Sequence, residues 1–248
     1  MGIGRELAKL CAADGHDVVL VARQREQLEA LADEIRVRYG VQASVIPCDL
    51  SEPDSAARLL DELTRRNQTI DILVNNAGFG LYGSFHELGL ARQLDMLQVN
   101  IIALTRLTHA LLPAMVKRRF GRVMNMSSTA SFQPGPGMAV YYASKAYVTS
   151  FSEALAFELR SSGVTVTALC PGPTKTNFQS TAGLVDSPMY RLVASNAERV
   201  ARDGYRAMMR GRSLRVSGVL NWIGVQLVRI APRFLVRRAS SWVIQRTA

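Results

Sequence analysis

Tyr141 and Lys145 stand four residues apart in Tyr141-Tyr142-Ala143-Ser144-Lys145, so on a helix they share one face. An ammonium beside a phenol favours the phenolate and lowers its pKa from about 10. A tyrosine tuned in this way exchanges a proton with a carbonyl or alcohol oxygen near neutral pH. Ser128 lies 13 residues before Tyr141, just past an apolar run that reads as a strand, and its hydroxyl could bond the same oxygen. Tyr-x-x-x-Lys alone is common and mostly structural. A serine at this spacing, in a loop between strand and helix, is what points to chemistry. Only Tyr141 stands four before Lys145, which leaves Tyr142 to packing or substrate contact, and the spacing selects Ser128 over Ser127. His16, His86 and His109 fit no catalytic spacing, and no metal-ligand set is present.

A second group of residues suits a dinucleotide. Gly2-Ile3-Gly4 runs directly into the helical pattern Arg5-Glu6-Leu7-Ala8-Lys9-Leu10. A glycine turn at a helix start lets backbone N–H groups approach a pyrophosphate. Alone this is a weak signal, because two glycines near an N-terminus are usually a flexible start. The next strand ends at Val21-Ala22-Arg23, about 20 residues on, where a dinucleotide fold reads the adenosine ribose. No acid stands there. Arg23 does, and a guanidinium pairs with the 2′-phosphate of NADP, unless Arg23 is simply solvated at a strand end. Asn75-Asn76-Ala77-Gly78 closes another strand with small residues against which a cofactor can lie; without its neighbours it would read as an ordinary turn.

Positioning these groups takes alternating strands and helices. Strand patterns cover Asp17–Ala22, Ala43–Pro47, Asp71–Asn75, Gly121–Met126 and Val164–Leu169. Helical patterns cover Arg25–Tyr39, Pro53–Arg66, a long segment within Leu90–Met115, and Ala139–Ser161. This alternation predicts an α/β fold with a doubly wound parallel sheet, Rossmann-like, in a single domain over residues 1–248. Residues 171–188, rich in Pro, Gly, Ser and Thr, read as a long loop, and a lid is expected over about 171–195. A helix over Ala194–Met209, a short strand over Ser213–Ser217 and two basic amphipathic helices, Val219–Ile230 and Phe234–Ile244, complete the chain.

Composition narrows the function classes. With 48% hydrophobic and 20% charged residues, 248 residues can build one large core and are not a disordered chain. Three widely spaced cysteines argue against a disulfide framework or zinc site and favour a reducing compartment, the cytoplasm. The net charge of +10 lies wholly in the last quarter: residues 191–248 hold twelve arginines against Glu198 and Asp203. A neutral catalytic body with a basic tail fits this better than a nucleic-acid-binding fold. Met1 to Leu10 carries Arg5, Glu6 and Lys9 where a signal peptide needs an apolar core. Val216–Val228 is 13 residues between arginines, short of the roughly 20 that span a bilayer. The chain is expected to be soluble. The segment from about 212 to 248 is a candidate for peripheral membrane contact, and covering a cleft or a subunit interface is the alternative.

Together these motifs resemble the short-chain dehydrogenase/reductases over essentially the whole chain. The matching residues are Gly2 and Gly4, Asp49 in Cys48-Asp49-Leu50, Asn75-Asn76-Ala77-Gly78, Asn100, Ser128, Tyr141, Lys145 and Pro171-Gly172-Pro173-Thr174. The resemblance implies hydride transfer between a nicotinamide and a carbonyl or secondary alcohol, with NADP rather than NAD as cofactor given Arg23. It implies Tyr141 as proton donor, Ser128 as the group that binds the substrate oxygen, and Lys145 on the nicotinamide ribose, tuning Tyr141. Asn100 would hold a water linking Lys145 to solvent, and Asp49 would contact the adenine. Thr174 and Thr176, with Pro171 and Gly172, would border the nicotinamide and phosphate region, and Asn76, Ala77 and Gly78 the cofactor's flank. A homo-oligomer is expected. An apolar pocket rim of Phe132, Pro134, Met138, Val140, Phe178, Leu184 and Met189 favours a hydrophobic carbonyl substrate.

The family's glycine turn, T-G-x-x-x-G-x-G, follows a first strand, and here only its last two glycines are present. That strand would lie between those ending near Ala22 and Asn75. Without it the sheet is expected either to close a gap or to leave backbone groups unpaired, at about 1–3 kcal/mol for each buried group. Met1 then reads as an internal methionine. A catalytically silent relative serving as an interaction module is the alternative function.

Overall fold

The computed structural model describes residues 2–183 and 194–247, with side chains omitted at 180, 181 and 245–247. Leu184 and Met189 of the expected rim, and most of the second half of the expected lid, lie outside the described residues. Strand and helix alternate from the start. Helix α1 (Ile3–Ala13) leads into β1 (Val18–Ala22), α2 (Arg25–Tyr39), β2 (Ala43–Pro47), α3 (Ser55–Arg65) and β3 (Ile72–Asn75). Helix α4 (Leu90–Leu97) runs through a π-helical turn, Gln98–Ala103, into α5 (Leu104–Arg118), which precedes β4 (Gly121–Met126). A 3-10 turn, Thr129–Phe132, then leads to α6 (Ala139–Glu158) and β5 (Val164–Cys170). The expected loop after Pro171 contains a two-residue strand, β6 (Thr174–Lys175), and a short helix, α7 (Phe178–Ala182). Beyond it come β7 (Ser195–Asn196), α8 (Ala197–Met209), β8 (Leu214–Val216), α9 (Val219–Ile230) and α10 (Arg233–Thr247).

All described strand pairs are parallel. β3, β4, β5 and β8 form one sheet in that order, β1 pairs only with β2, and β6 with β7. The expected interruption is therefore visible: β1 and β3 do not pair, and the gap is not closed by a backbone ladder. Side chains bridge it instead. On one face Leu7 and Cys11 of α1 pack with Val18 of β1, Ile72 and Val74 of β3, Met124 of β4 and Val200, Tyr205 and Met208 of α8. On the other, Val19, Val21 and Ile46 meet Leu59 and Leu63 of α3 and Leu107 of α5. Alternation along β4 explains the two layers, since Met124 points into the first cluster and Val123 into a third with Met115 and Val166.

Leu90–Arg118 forms one continuous helical stretch that is long and apolar enough to cross a membrane by length and composition. In this fold it lines the sheet, with Met115 of α5 fully buried against Val123. The entry to β5 is the tightest turn. Gly163 has φ +83°, and a β-carbon there would lie 2.1 Å from the backbone oxygen of Arg119. Backbone cannot yield as a side-chain tip can. Gly163→Ala is expected to destabilise the protein by about 3 kcal/mol, read as a shift in a denaturant midpoint. An unchanged midpoint would show that this turn is not rigid.

Candidate active site

The candidate residues converge at the carboxyl ends of the parallel strands. Arg23 follows β1, Asp49 follows β2, Asn76 follows β3, Ser128 follows β4 and Pro171 follows β5. In an open α/β sheet this edge is where ligands bind, because the strands end there and helices begin.

Ser128 caps the 3-10 turn: its Oγ accepts from the Ala130 N–H at 3.1 Å. Tyr141 and Lys145 lie on one face of α6, both buried. The Ser128 hydroxyl is near enough to the Tyr141 phenol to favour its phenolate, while Ser128 Oγ donates to the Pro171 carbonyl at 3.5 Å. Lys145 Nζ donates to the Met126 carbonyl at 2.8 Å, fixing the ammonium behind the end of β4. It sits 5.8 Å from the centre of the Tyr141 ring.

The expected effect of Lys145 on Tyr141 is not what this structure shows. Burial pushes the Tyr141 phenol well up, above its ordinary value, and the Ser128 hydroxyl offsets only part of it. The reason is distance and desolvation: the ammonium is engaged by a carbonyl, and a buried phenolate loses more hydration than that charge returns. Tyr141 is held as a phenol across the neutral range. Burial also lowers Lys145, from 10.5 to about 8. Between those values the unfolded chain carries a proton that the folded chain has released, so Lys145's contribution to stability rises with pH there. Melting temperatures of wild type and Lys145→Met should therefore diverge in favour of wild type from about pH 8 to about pH 10. A constant difference would contradict a buried ammonium.

Asn100 sits in the π turn between α4 and α5 and is fully buried. Its Nδ2 donates to the Phe79 carbonyl at 3.0 Å and to Ser144 Oγ at 3.0 Å, and its Oδ1 accepts from the Phe79 N–H at 3.1 Å. Asn100 thus ties the loop after β3 to α6. A β-carbon at Gly78 would stand 3.0 Å from Asn100 Oδ1 and 3.1 Å from Lys145 Nζ, which places Gly78 directly over both.

The glycine turn fits a dinucleotide's phosphates. Gly2 precedes α1 with no side-chain cap; its carbonyl takes the Arg5 N–H at 3.1 Å, and the N–H groups of Ile3 and Gly4 find no acceptor among the described residues. At Gly4 a β-carbon would meet Asn76 Nδ2 at 2.5 Å, and at Gly2 one would lie 3.7 Å from Thr176. Gly2, Ile3, Gly4, Asn76 and Thr176 are thereby brought together. Thr174 Oγ1 donates to the Gly172 carbonyl at 2.8 Å, and Thr129 N–H donates to the Pro171 carbonyl at 2.9 Å, which joins the 171–176 segment to the serine turn. At the other end, burial pushes the Asp49 carboxyl up. The Ser51 N–H and hydroxyl, then the charges of Arg23 and Arg92, outweigh it and hold Asp49 below its ordinary value. Arg23 is exposed beside it and has no acid at its own strand end.

Tyr141 is walled by apolar side chains. Met96, Ala130, Met138, Ala182 and Ile244 form a buried cluster with it. The Phe178 ring of α7 lies tilted against its ring, with centroids 5.2 Å apart. Of the expected rim, Met138, Val140 and Phe178 are in this cluster. Phe132 is not: it packs with Cys170, Val216 and Val225 on the side of α9.

Beneath the site runs a polar chain that begins at Asn75 of the strand-end motif and continues through residues no motif contains. Asn75 Nδ2 donates to Asn125 Oδ1 at 2.8 Å and to Thr108 Oγ1 at 3.0 Å, and Asn125 Nδ2 donates to Ser152 Oγ at 2.9 Å. Ser127 Oγ donates to the Lys145 carbonyl at 3.0 Å. These buried groups lock β3, β4 and α6 together, so Ser127 is a brace for the helix that carries Tyr141 and Lys145.

Comparison with known proteins identifies the family. Hydroxysteroid dehydrogenase-like protein 1 of Gallus gallus is 38% identical over 172 residues, 68% of this chain and 52% of that protein. Inactive hydroxysteroid dehydrogenase-like protein 1 of Pongo abelii is 36% identical over 172 residues, again 68% and 52%. The chain thus spans about half the length of these curated relatives. A short-chain dehydrogenase from Sphingobium yanoikuyae, solved in complex with NADPH, superposes with a TM-score of 0.82 at 32% identity, covering 92% of this chain and 89% of that one. The short chain dehydrogenase family model matches residues 1–184, and the chain belongs to the short-chain dehydrogenase/reductase family.

Proposed function

We propose that the chain is an NADP-dependent oxidoreductase that reduces the carbonyl of a hydrophobic substrate. The observation that carries this reading is the convergence of Ser128, Tyr141 and Lys145 at the carboxyl ends of the parallel strands, the edge at which α1 also begins. When bound, the nicotinamide supplies the hydride. Ser128 Oγ is placed to donate to the substrate oxygen. Tyr141, protonated because it is buried, delivers its proton to that oxygen, and the Lys145 ammonium faces the phenolate that results.

Arg23 supports NADP over NAD, since its guanidinium offers a paired donor to a 2′-phosphate. One relative of known structure, from Sphingobium yanoikuyae, is in complex with NADPH. The apolar wall of Met96, Met138 and Phe178 suits a fatty-acyl, steroid-like or aromatic ketone, and the Gallus gallus relative is named hydroxysteroid dehydrogenase-like. Three free thiols suit a reducing cytoplasm, and a homo-oligomer is part of this reading.

The rival reading is a silent interaction module, favoured by the word inactive in the name of the Pongo abelii relative. Titration with NADPH, followed by nicotinamide fluorescence, separates the two, and a panel of bulky ketones then reports NADPH consumption. Saturable binding and turnover are expected. No binding would favour the silent module.

A further inference from the structure

We propose that α9 and α10 are a docking surface for an anionic membrane. Helix α9 shows its apolar residues to solvent. Leu220, Ile223, Leu227 and Ile230 follow the i, i+3, i+7, i+10 pattern of one helix face, and Leu220 is 84%, Leu227 57% and Ile230 81% exposed. The opposite face rests on the body through Val225, which is 4% exposed. A helix this apolar is ordinarily buried all round. At 12 residues it is too short to span a bilayer, so lipid contact would place it flat in the interface. Helix α10 continues the pattern. Val236, Ser240 and Ile244 face the body, while Phe234 and Leu235 are exposed beside Arg238.

Charge commits the surface to an anionic lipid. After Asp203 the sequence contains nine arginines and no acid. Among the described residues no ion pair holds Arg212, Arg229, Arg233, Arg237 or Arg238, whereas Arg215 reaches Asp203 at 3.6 Å. Arg212, Arg215, Arg229 and Trp222 also line, with Val225, a hollow of about 150 Å³ between α9 and the body, which adds positive charge behind the apolar face. A second copy packed symmetrically through these helices would set arginine against arginine, since its own α9 and α10 are equally basic.

The chain's two tryptophans, Trp222 and Trp242, both lie in these helices, so intrinsic fluorescence reports the event directly. The full chain is mixed with vesicles of phosphatidylcholine alone or with phosphatidylglycerol added, at low and high salt, and assayed by co-sedimentation and tryptophan emission. Binding to phosphatidylglycerol vesicles at low salt with a blue-shifted emission is expected, falling about tenfold or more at high salt. Leu227→Ser with Ile230→Ser should weaken partitioning about tenfold or more, as should Arg237→Glu with Arg238→Glu. Both pairs include exposed positions, and unchanged melting temperatures would show that the fold is intact. A third variant, Arg212→Glu, tests the hollow separately. No binding at low salt, equal binding to phosphatidylcholine, or indifference to all three variants would overturn the proposal. So would a dimer in light scattering that Leu227→Ser with Ile230→Ser dissolves while vesicle binding is absent.

Discussion

Tyr141→Phe should lower kcat for carbonyl reduction by about 10²–10⁴-fold, the range assigned to a positioned general acid. The substitution removes one oxygen and leaves the ring against Phe178 and Met138, so packing is nearly conserved. Affinity for NADPH should change little. That split separates a proton donor from a structural tyrosine, which would affect binding and turnover together. Retention of more than about a tenth of wild-type kcat would remove Tyr141 from the role. Ser128→Ala should lower the rate and also cost about 1 kcal/mol of stability, because Ser128 Oγ also accepts from the Ala130 N–H.

Arg23→Asp should reverse the cofactor preference. A hydrogen bond to a charged group contributes about 1.5–3 kcal/mol, and the substitution replaces that gain with repulsion. Weakening of NADPH binding by about 100-fold, with NADH binding improved relative to it, is the expected result in a fluorescence titration. The new carboxylate would also stand near Asp49, whose low pKa draws in part on the Arg23 charge, so Asp49 should move up. An unchanged NADPH/NADH ratio would show Arg23 to be a solvated strand-end residue.

Much of this was legible because it is written in local patterns. Val- and Ile-rich runs with helical periods between them located β1 to β5 within a residue or two. The 13-residue interval from Ser128 to Tyr141 works because a 3-10 turn and the start of α6 fold it back on itself. What escaped depends on distant partners. The π turn around Asn100 has no sequence signature, and its bonds run to Phe79 and Ser144, 21 and 44 residues away. Asn75 and Asn125 each look like a lone polar residue in an apolar strand, and their pairing joins positions 50 apart. Pro53 suggested a helix start, but the chain first makes a turn in which Ser55 N–H donates to the Glu52 carbonyl, and α3 begins at Ser55. The tyrosine's pKa was misjudged for a related reason. Spacing reports that Lys145 is near, while burial and the Met126 carbonyl, which decide the sign, belong to the folded state.

The central claim is that this constellation performs hydride transfer to a carbonyl carbon. Its most direct test is isotopic. The protein is incubated with NADPH carrying deuterium at the nicotinamide C4 and with a bulky ketone, and the alcohol product is examined by mass spectrometry and NMR. Deuterium on the carbinol carbon, stereospecific and lost in Tyr141→Phe, is the predicted result. Product lacking the label, or the same labelled product from Tyr141→Phe at the wild-type rate, would contradict the account.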